Sequence, residues 1–256
     1  MRVRERRVEN TSARAQIDEN PILRSGCDRR AVLAAALALV GCSIPLRQVR
    51  YKYVVRVEAT VAGERCVGES VIKNIWRDQR GGLHAGSQFV TRVWAEATIV
   101  STSPQDSQLF ALLQRKRSGG FFYPAYVFPQ LLVGLLQKES AEERYQALQQ
   151  VPEMTEEVIV PQTDWPLFVE FRDLLDPTSV REVNPDGGRL FDGAEVNIDR
   201  VSMRLTDAVT THKIERLLPW LEVMRGTLGG EMAARTRGPL KNQLSTIDFV
   251  IRGLQF

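Results

Sequence analysis

Between Tyr51 and Glu58 the side chains alternate, and this alternation limits the fold more than any other feature of the chain. Tyr51, Tyr53, Val55 and Val57 fall on one side of an extended backbone, with Lys52, Arg56 and Glu58 on the other. A period of two, rich in aromatic and β-branched residues, describes a half-buried strand. Ala62-Gly63-Glu64 is a turn signal, and residues 65–75 return with Cys66, Gly68, Ser70 and Ile72 at alternate positions, which predicts a β-hairpin. Residues 88–100 predict a third strand, in which Val90, Val93, Trp94, Ala97 and Ile99 break the alternation as a bulge or burial on both faces would. Further strands are expected at 109–113, 156–160, Pro166–Phe171, 179–183 and 196–205, the last with a phase slip between Ile198 and Val201. Asn184-Pro185-Asp186-Gly187-Gly188 is the clearest turn.

Helical signals are fewer. Ser140 and Glu143 have the spacing of a capping box ahead of an amphipathic helix over Ala141–Gln150, stopped by Pro152. Ile214, Leu217, Leu218 and Leu221 give residues 210–224 a helical period, interrupted by Pro219. The apolar run 121–136 predicts a core strand followed by a short helix, and residues 247–251 an edge strand. The fold class is therefore a β-rich α+β domain over residues 50–256, an antiparallel sandwich or partly closed barrel with one mid-chain helix and one C-terminal helix.

Ahead of that domain lies a segment of another kind. Arg29 and Arg30 precede an apolar run, residues 31–40, that ends at Gly41 and Cys42. A positive start, a short apolar stretch and a small residue are the parts of an export signal. The run is about half of the roughly 20 residues that span a bilayer. A buried core helix is the alternative, opposed by the jump in polarity at both ends and by a cysteine directly after a small residue. Leu39-Val40-Gly41-Cys42 resembles the lipobox of bacterial lipoproteins. That resemblance implies a lipid on the Cys42 thiol, a leader over 1–41 cut before it, a tether over 42–49, and a body on the periplasmic face of the envelope. Arg29-Arg30-Ala31-Val32-Leu33 loosely resembles a twin-arginine signal, but Asp28 and Val32 depart from that pattern and general secretion is the expected route. Ser43 after the cysteine favours the outer membrane. The acids Glu5, Glu9, Asp18, Glu19 and Asp28 are unusual before an export signal and predict a translation start further along, at Val8, Leu23 or another codon.

Charge belongs to this leader. The first 41 residues hold eight arginines and five acids, so the 34 basic and 31 acidic residues of the chain become 26 and 26 without them. A balanced body gives no electrostatic argument for nucleic acid. With Cys27 in the leader and Cys42 lipidated, only Cys66 remains, which excludes an internal disulfide and predicts a buried, inert thiol.

Motifs for chemistry are sparse. The chain has no phosphate loop, dinucleotide fingerprint, Gly-x-Ser-x-Gly elbow, His-Glu-x-x-His helix or calcium loop, and no cofactor or metal is expected from it. Its two histidines, His84 and His212, lack metal-ligand spacing. A hydrolase would need one of them to meet converging carboxylates such as Asp173 with Asp176 or Asp199 with Asp207. The basic tip Arg115-Lys116-Arg117 reads as solvation. For binding, the aromatics Tyr123, Tyr126 and Phe128 and the tryptophan Trp220 are the candidates for an exposed apolar patch that contacts an envelope protein partner, against the plainer reading that they are core.

Asp176-Pro177-Thr178-Ser179-Val180-Arg181-Glu182-Val183-Asn184-Pro185, followed by Ile214-Glu215-Arg216-Leu217-Leu218-Pro219-Trp220-Leu221, resembles an uncharacterised family of small proteobacterial lipoproteins. Gly68-Glu69-Ser70-Val71 fits the opening strands of that family. Members of that family often carry lipoprotein-type leaders, and the resemblance carries no activity and no functional residue; the chain as a whole is expected to be a lipid-anchored structural or interaction protein, with a periplasmic hydrolase as the alternative.

Overall fold

The expected hairpin is the spine of the molecule. In the computed structural model, which describes residues 47–79, 89–100, 108–115, 123–229 and 238–255, β1 (Gln48–Val61) begins at Gln48 rather than Arg50. Its residues Tyr51, Tyr53, Val55, Val57, Ala59 and Val61 are buried. β2 (Glu64–Asp78) returns along it in unbroken register, from Val61 opposite Glu64 to Gln48 opposite Arg77. Ala62 and Gly63 make the turn with φ of 52° and 84°, the left-handed conformation a two-residue hairpin loop needs. The leader, Cys42, the loop around His84 and the tip at Lys116 and Arg117 lie outside the described residues.

On the other side of β1 runs β10 (Glu195–Leu205). Glu58 faces Arg200 while Ala59 faces Ile198, so Asp199 is an extra residue. This bulge is the physical form of the phase slip between Ile198 and Val201, and it lets Val196, Ile198, Val201 and Met203 all face inward. β3 (Phe89–Glu96) and β11 (Val250–Gln255) extend the sheet beyond β2, and β6 (Val158–Ile159) and β9 (Gly188–Arg189) pair with β10. The order is β11-β3-β2-β1-β10-β6, every pairing antiparallel, with the last strand at an edge as expected.

The single strand expected over 88–100 is two strands in different sheets. At Ala97, whose N–H bonds Phe249 O at 2.7 Å, the chain leaves β3 and enters β4 (Thr98–Val100). Its broken alternation records a change of sheet, not a bulge within one. The second sheet has the order β4-β5-β7-β8, with β5 (Leu109–Arg115), β7 (Pro166–Phe171) and β8 (Val180–Glu182). The two sheets touch where Gly68 lies under Ile99; a Cβ at Gly68 would stand 2.3 Å from the Ile99 carbonyl oxygen, so only glycine fits.

Because the second sheet is covered on both faces, its strands read as continuous apolar runs. Leu109, Ala111, Leu113 and Phe168 join Tyr53, Val57 and Met203 in the core between the sheets. Phe110, Leu112, Leu167, Val169 and Phe171 turn the other way, into a second core closed by Ile214, Leu218, Trp220, Leu221, Leu244 and Phe249. The molecule is a β-rich α+β sandwich.

Helix α1 (Tyr123–Val133) replaces the strand expected early in the run 121–136. Pro124 is tolerated in a first turn, where its missing N–H would be unpaired anyway. The helix ends at Gly134, at φ 59°, whose N–H bonds Gln130 O at 3.0 Å. Helix α2 (Ala141–Gln150) has the expected bounds and both hydrogen bonds of its capping box. Over 210–224 the helix is a single turn, α3 (Ile214–Leu217), followed by a tighter turn at Pro219–Leu221. Proline has no N–H to continue the ladder and its ring would press on the carbonyl four residues back. The α3 N-terminus is held by the buried carboxylate of Glu96, which accepts from Lys213 N at 2.7 Å and Ile214 N at 3.1 Å.

Candidate functional site

Two clusters combine aromatic rings with buried polar groups. The first lies under α1. Pro129, inside that helix, has no N–H to offer the Ala125 carbonyl. Asn74, reaching from β2, approaches it with Nδ2 at 3.5 Å, and the same Nδ2 donates to Pro124 O at 2.9 Å. Tyr53 Oη donates to Pro124 O at 2.5 Å, and Tyr51 Oη accepts from Trp76 Nε1 at 3.0 Å. Phe128 stacks on Tyr53 with ring centroids 4.5 Å apart and planes 15° apart, and Tyr126 meets Trp76 edge-on at 5.3 Å. Burial pushes the Tyr51 phenol far above its ordinary range, partly offset by the N–H groups of Asn74 and Trp76. Every one of these rings except Tyr126 is buried. The cluster pins a proline-containing helix to a sheet.

The second cluster is open to water. Glu170 on β7 is fully buried, the one charged residue in the run Leu167-Phe168-Val169-Glu170-Phe171. A buried carboxylate needs partners. Arg181 on β8, across the strand pair, supplies two: its Nε donates to Oε1 at 2.7 Å, and Nη2 bonds the same oxygen. Oε2 accepts from the backbone N–H of Phe191 at 2.8 Å, and Arg181 Nη2 also donates to Arg189 O at 2.7 Å. The Phe191 backbone is thereby held, and two guanidinium groups lie over its ring, Arg181 at 4.0 Å and Arg172 at 4.8 Å from the centroid. Arg172 and Arg189 are exposed.

The residues singled out in the sequence are scattered. Phe128 and Trp220 are core side chains, one in each hydrophobic cluster; Trp220 donates from Nε1 to Leu174 O at 2.9 Å and packs edge-on against Phe249. Tyr126 is half-buried, and Tyr123 opens α1, its side chain outside the described residues. Exposed apolar side chains do flank both regions: Leu136 beyond α1, and Leu175 and Val223, 71% and 78% exposed, on either side of Trp220. His212 is exposed, its ring 3.3 Å from Thr210 Oγ1. Asp173 and Asp176 sit in one exposed turn, each accepting from a backbone N–H two residues on. Asp199 accepts from Thr60 Oγ1, near the far end of β1, whereas Asp207 follows the opposite end of β10, where its carbonyl accepts from Lys52 Nζ. Among the described residues no group of three or more His, Cys, Asp and Glu is placed to hold a metal ion. Cys66 is buried, and burial raises its thiol pKa.

Sequence reading passed over Glu170, Arg172, Arg181, Arg189 and Phe191. The available signal was Glu170, a lone acid in a strand buried along its whole length. No protein-family model matches the chain, and no curated protein or solved structure matches it.

Proposed function

We propose that this chain is a lipid-anchored protein of the bacterial cell envelope, held on the periplasmic side through Cys42 and at the outer membrane, whose β-rich body is a binding module for an envelope protein partner. The observation that carries the reading is Leu39-Val40-Gly41-Cys42, closing the apolar run that follows Arg29-Arg30. The body supports it in one respect. Residues 43–46 alone separate Cys42 from Arg47, and Arg47 is already fixed, with Nη1 3.2 Å from Glu142 and its guanidinium over the Tyr145 ring at 5.2 Å. A tether of four residues reaches about 14 Å at ~3.5 Å per residue, so the body would stand close to the bilayer.

Kinship with the uncharacterised proteobacterial lipoproteins is part of the same proposal. The segments that carry it form a capped turn leading into β8, at Asp176–Val183, and the α3 turn with Trp220 in the second core. Both are elements that build the fold, in keeping with an interaction protein. The described histidine, His212, has no carboxylate bonded to it, so the hydrolase reading gains nothing from the geometry.

A Cys42→Ser variant tests the anchor. Cells fed labelled palmitate are expected to label the parent and not the variant, which should also keep its leader and migrate as a larger species. Equal labelling and equal migration would refute the proposal.

A further inference from the structure

We infer that the Arg172–Phe191–Arg181 stack is a receptor for a carboxylate presented by a partner, with Arg172 as the group that binds it. Three observations carry this. First, the stack is built from inside: a wholly buried carboxylate, Glu170, accepts from Arg181 Nε and Nη2 and from the Phe191 backbone N–H, so the residue whose ring supports Arg172 is held from the interior. Second, among the described residues the side chain of Arg172 makes no ion pair and no hydrogen bond, and its guanidinium carbon stands 4.8 Å from the Phe191 ring centroid. A guanidinium resting on an aromatic face keeps its in-plane N–H donors free, and that fork matches a carboxylate with two parallel hydrogen bonds.

Third, the nearest acids in sequence do not fill the role. Asp173 Oδ1 accepts from Leu175 N at 2.9 Å, and Asp192 Oδ1 accepts from Ala194 N at 2.9 Å, each turned to its own loop. The receptor also lies at the end of the sheet away from Arg47. Gly188 beside Arg189 pairs with Val196, Val196 pairs with Val61, and Val61 ends the strand that starts at Gln48. At about 3.3 Å per residue that is on the order of 40 Å from the tethered end. Facing away from the bilayer follows only from the anchor proposed above; binding of a carboxylate does not depend on it.

The test uses the full chain carrying Cys42→Ser and a tripeptide with a free C-terminal carboxylate, against the same tripeptide amidated, with inorganic phosphate as a third arm. Binding is followed through the Nε–Hε resonances of the arginines by NMR. The free tripeptide is expected to shift Arg172 saturably, and the amide is not. Arg172→Lys, which keeps the charge and loses the fork, is expected to weaken binding at least tenfold with the fold and the Arg181 resonance unchanged. Equal shifts with acid and amide, a non-saturating response, a preference for phosphate, or full affinity in Arg172→Lys would each overturn the inference. A Cys42→Ser chain that binds the tripeptide but fractionates as the parent does would refute the anchor and leave the receptor standing.

Discussion

The cluster under α1 and the stack on Glu170 solve one problem in opposite ways. Each must satisfy a polar group that folding has removed from water, and each does it with aromatic neighbours. Under α1 the donors of Asn74, Trp76 and Tyr53 are taken up by Tyr51 Oη and the Pro124 carbonyl and rings cover them, while Asn74 Oδ1 is buried with no hydrogen-bond partner among the described residues. Around Glu170 the buried half is satisfied by Arg181 and the Phe191 amide, while the outer half, Arg172, still has donors to offer. A polar cluster sealed under rings can only stabilise; one that leaves a fork in solvent can also bind.

The difference is sharpest in what truncation does. Phe128→Ala is expected to cost about 3–5 kcal/mol, the range for removing a fully buried aromatic ring, whereas Phe191→Ala, at a half-buried site, should cost less than half of that. Urea denaturation of both variants checks the contrast, and equal losses would erase it. Next in size is Glu170→Ala. Breaking a buried ion pair costs about 3–5 kcal/mol when both partners are sealed, but Arg181 keeps 40% of its side chain in water, so about 2 kcal/mol is expected. The same variant should release the Arg181 and Phe191 resonances from their folded positions.

Alkaline pH probes the cluster under α1 through Tyr51. The Tyr51 phenol has its pKa raised in the folded state above the value near 10 of an unfolded chain. Its contribution is therefore fully present below about pH 10 and is lost as pH rises beyond it, because unfolding then releases a proton. Stability followed by urea midpoint should fall above pH 10 in the parent and fall less steeply in Tyr51→Phe. The smallest effect is expected away from both clusters: Ser140→Ala removes the side-chain oxygen that accepts from Glu143 N at 3.1 Å and should cost about 1 kcal/mol, read by thermal melting.

What could be read from the sequence was local. The hairpin turn at Ala62 and Gly63, the phase slip that became the Asp199 bulge, and the Ser140 capping box each depend on residues close together in the chain. What escaped depends on distance. Ala97 marks a change of sheet only because Gly68, far away, lets Ile99 approach. The run 121–136 holds a helix across Pro124 and Pro129 because Asn74 on another strand serves the freed carbonyls. Arg181 meets Glu170 through strand register and Phe191 meets it through a backbone N–H, and no spacing in the sequence announces either.

The placement of the whole molecule turns on Cys42, and intact-mass spectrometry of protein extracted from membranes addresses it directly. The account predicts a chain that begins at Cys42 and carries a diacylglyceryl group on its thiol. A chain that retains residues before Cys42, with that thiol unmodified, would contradict it.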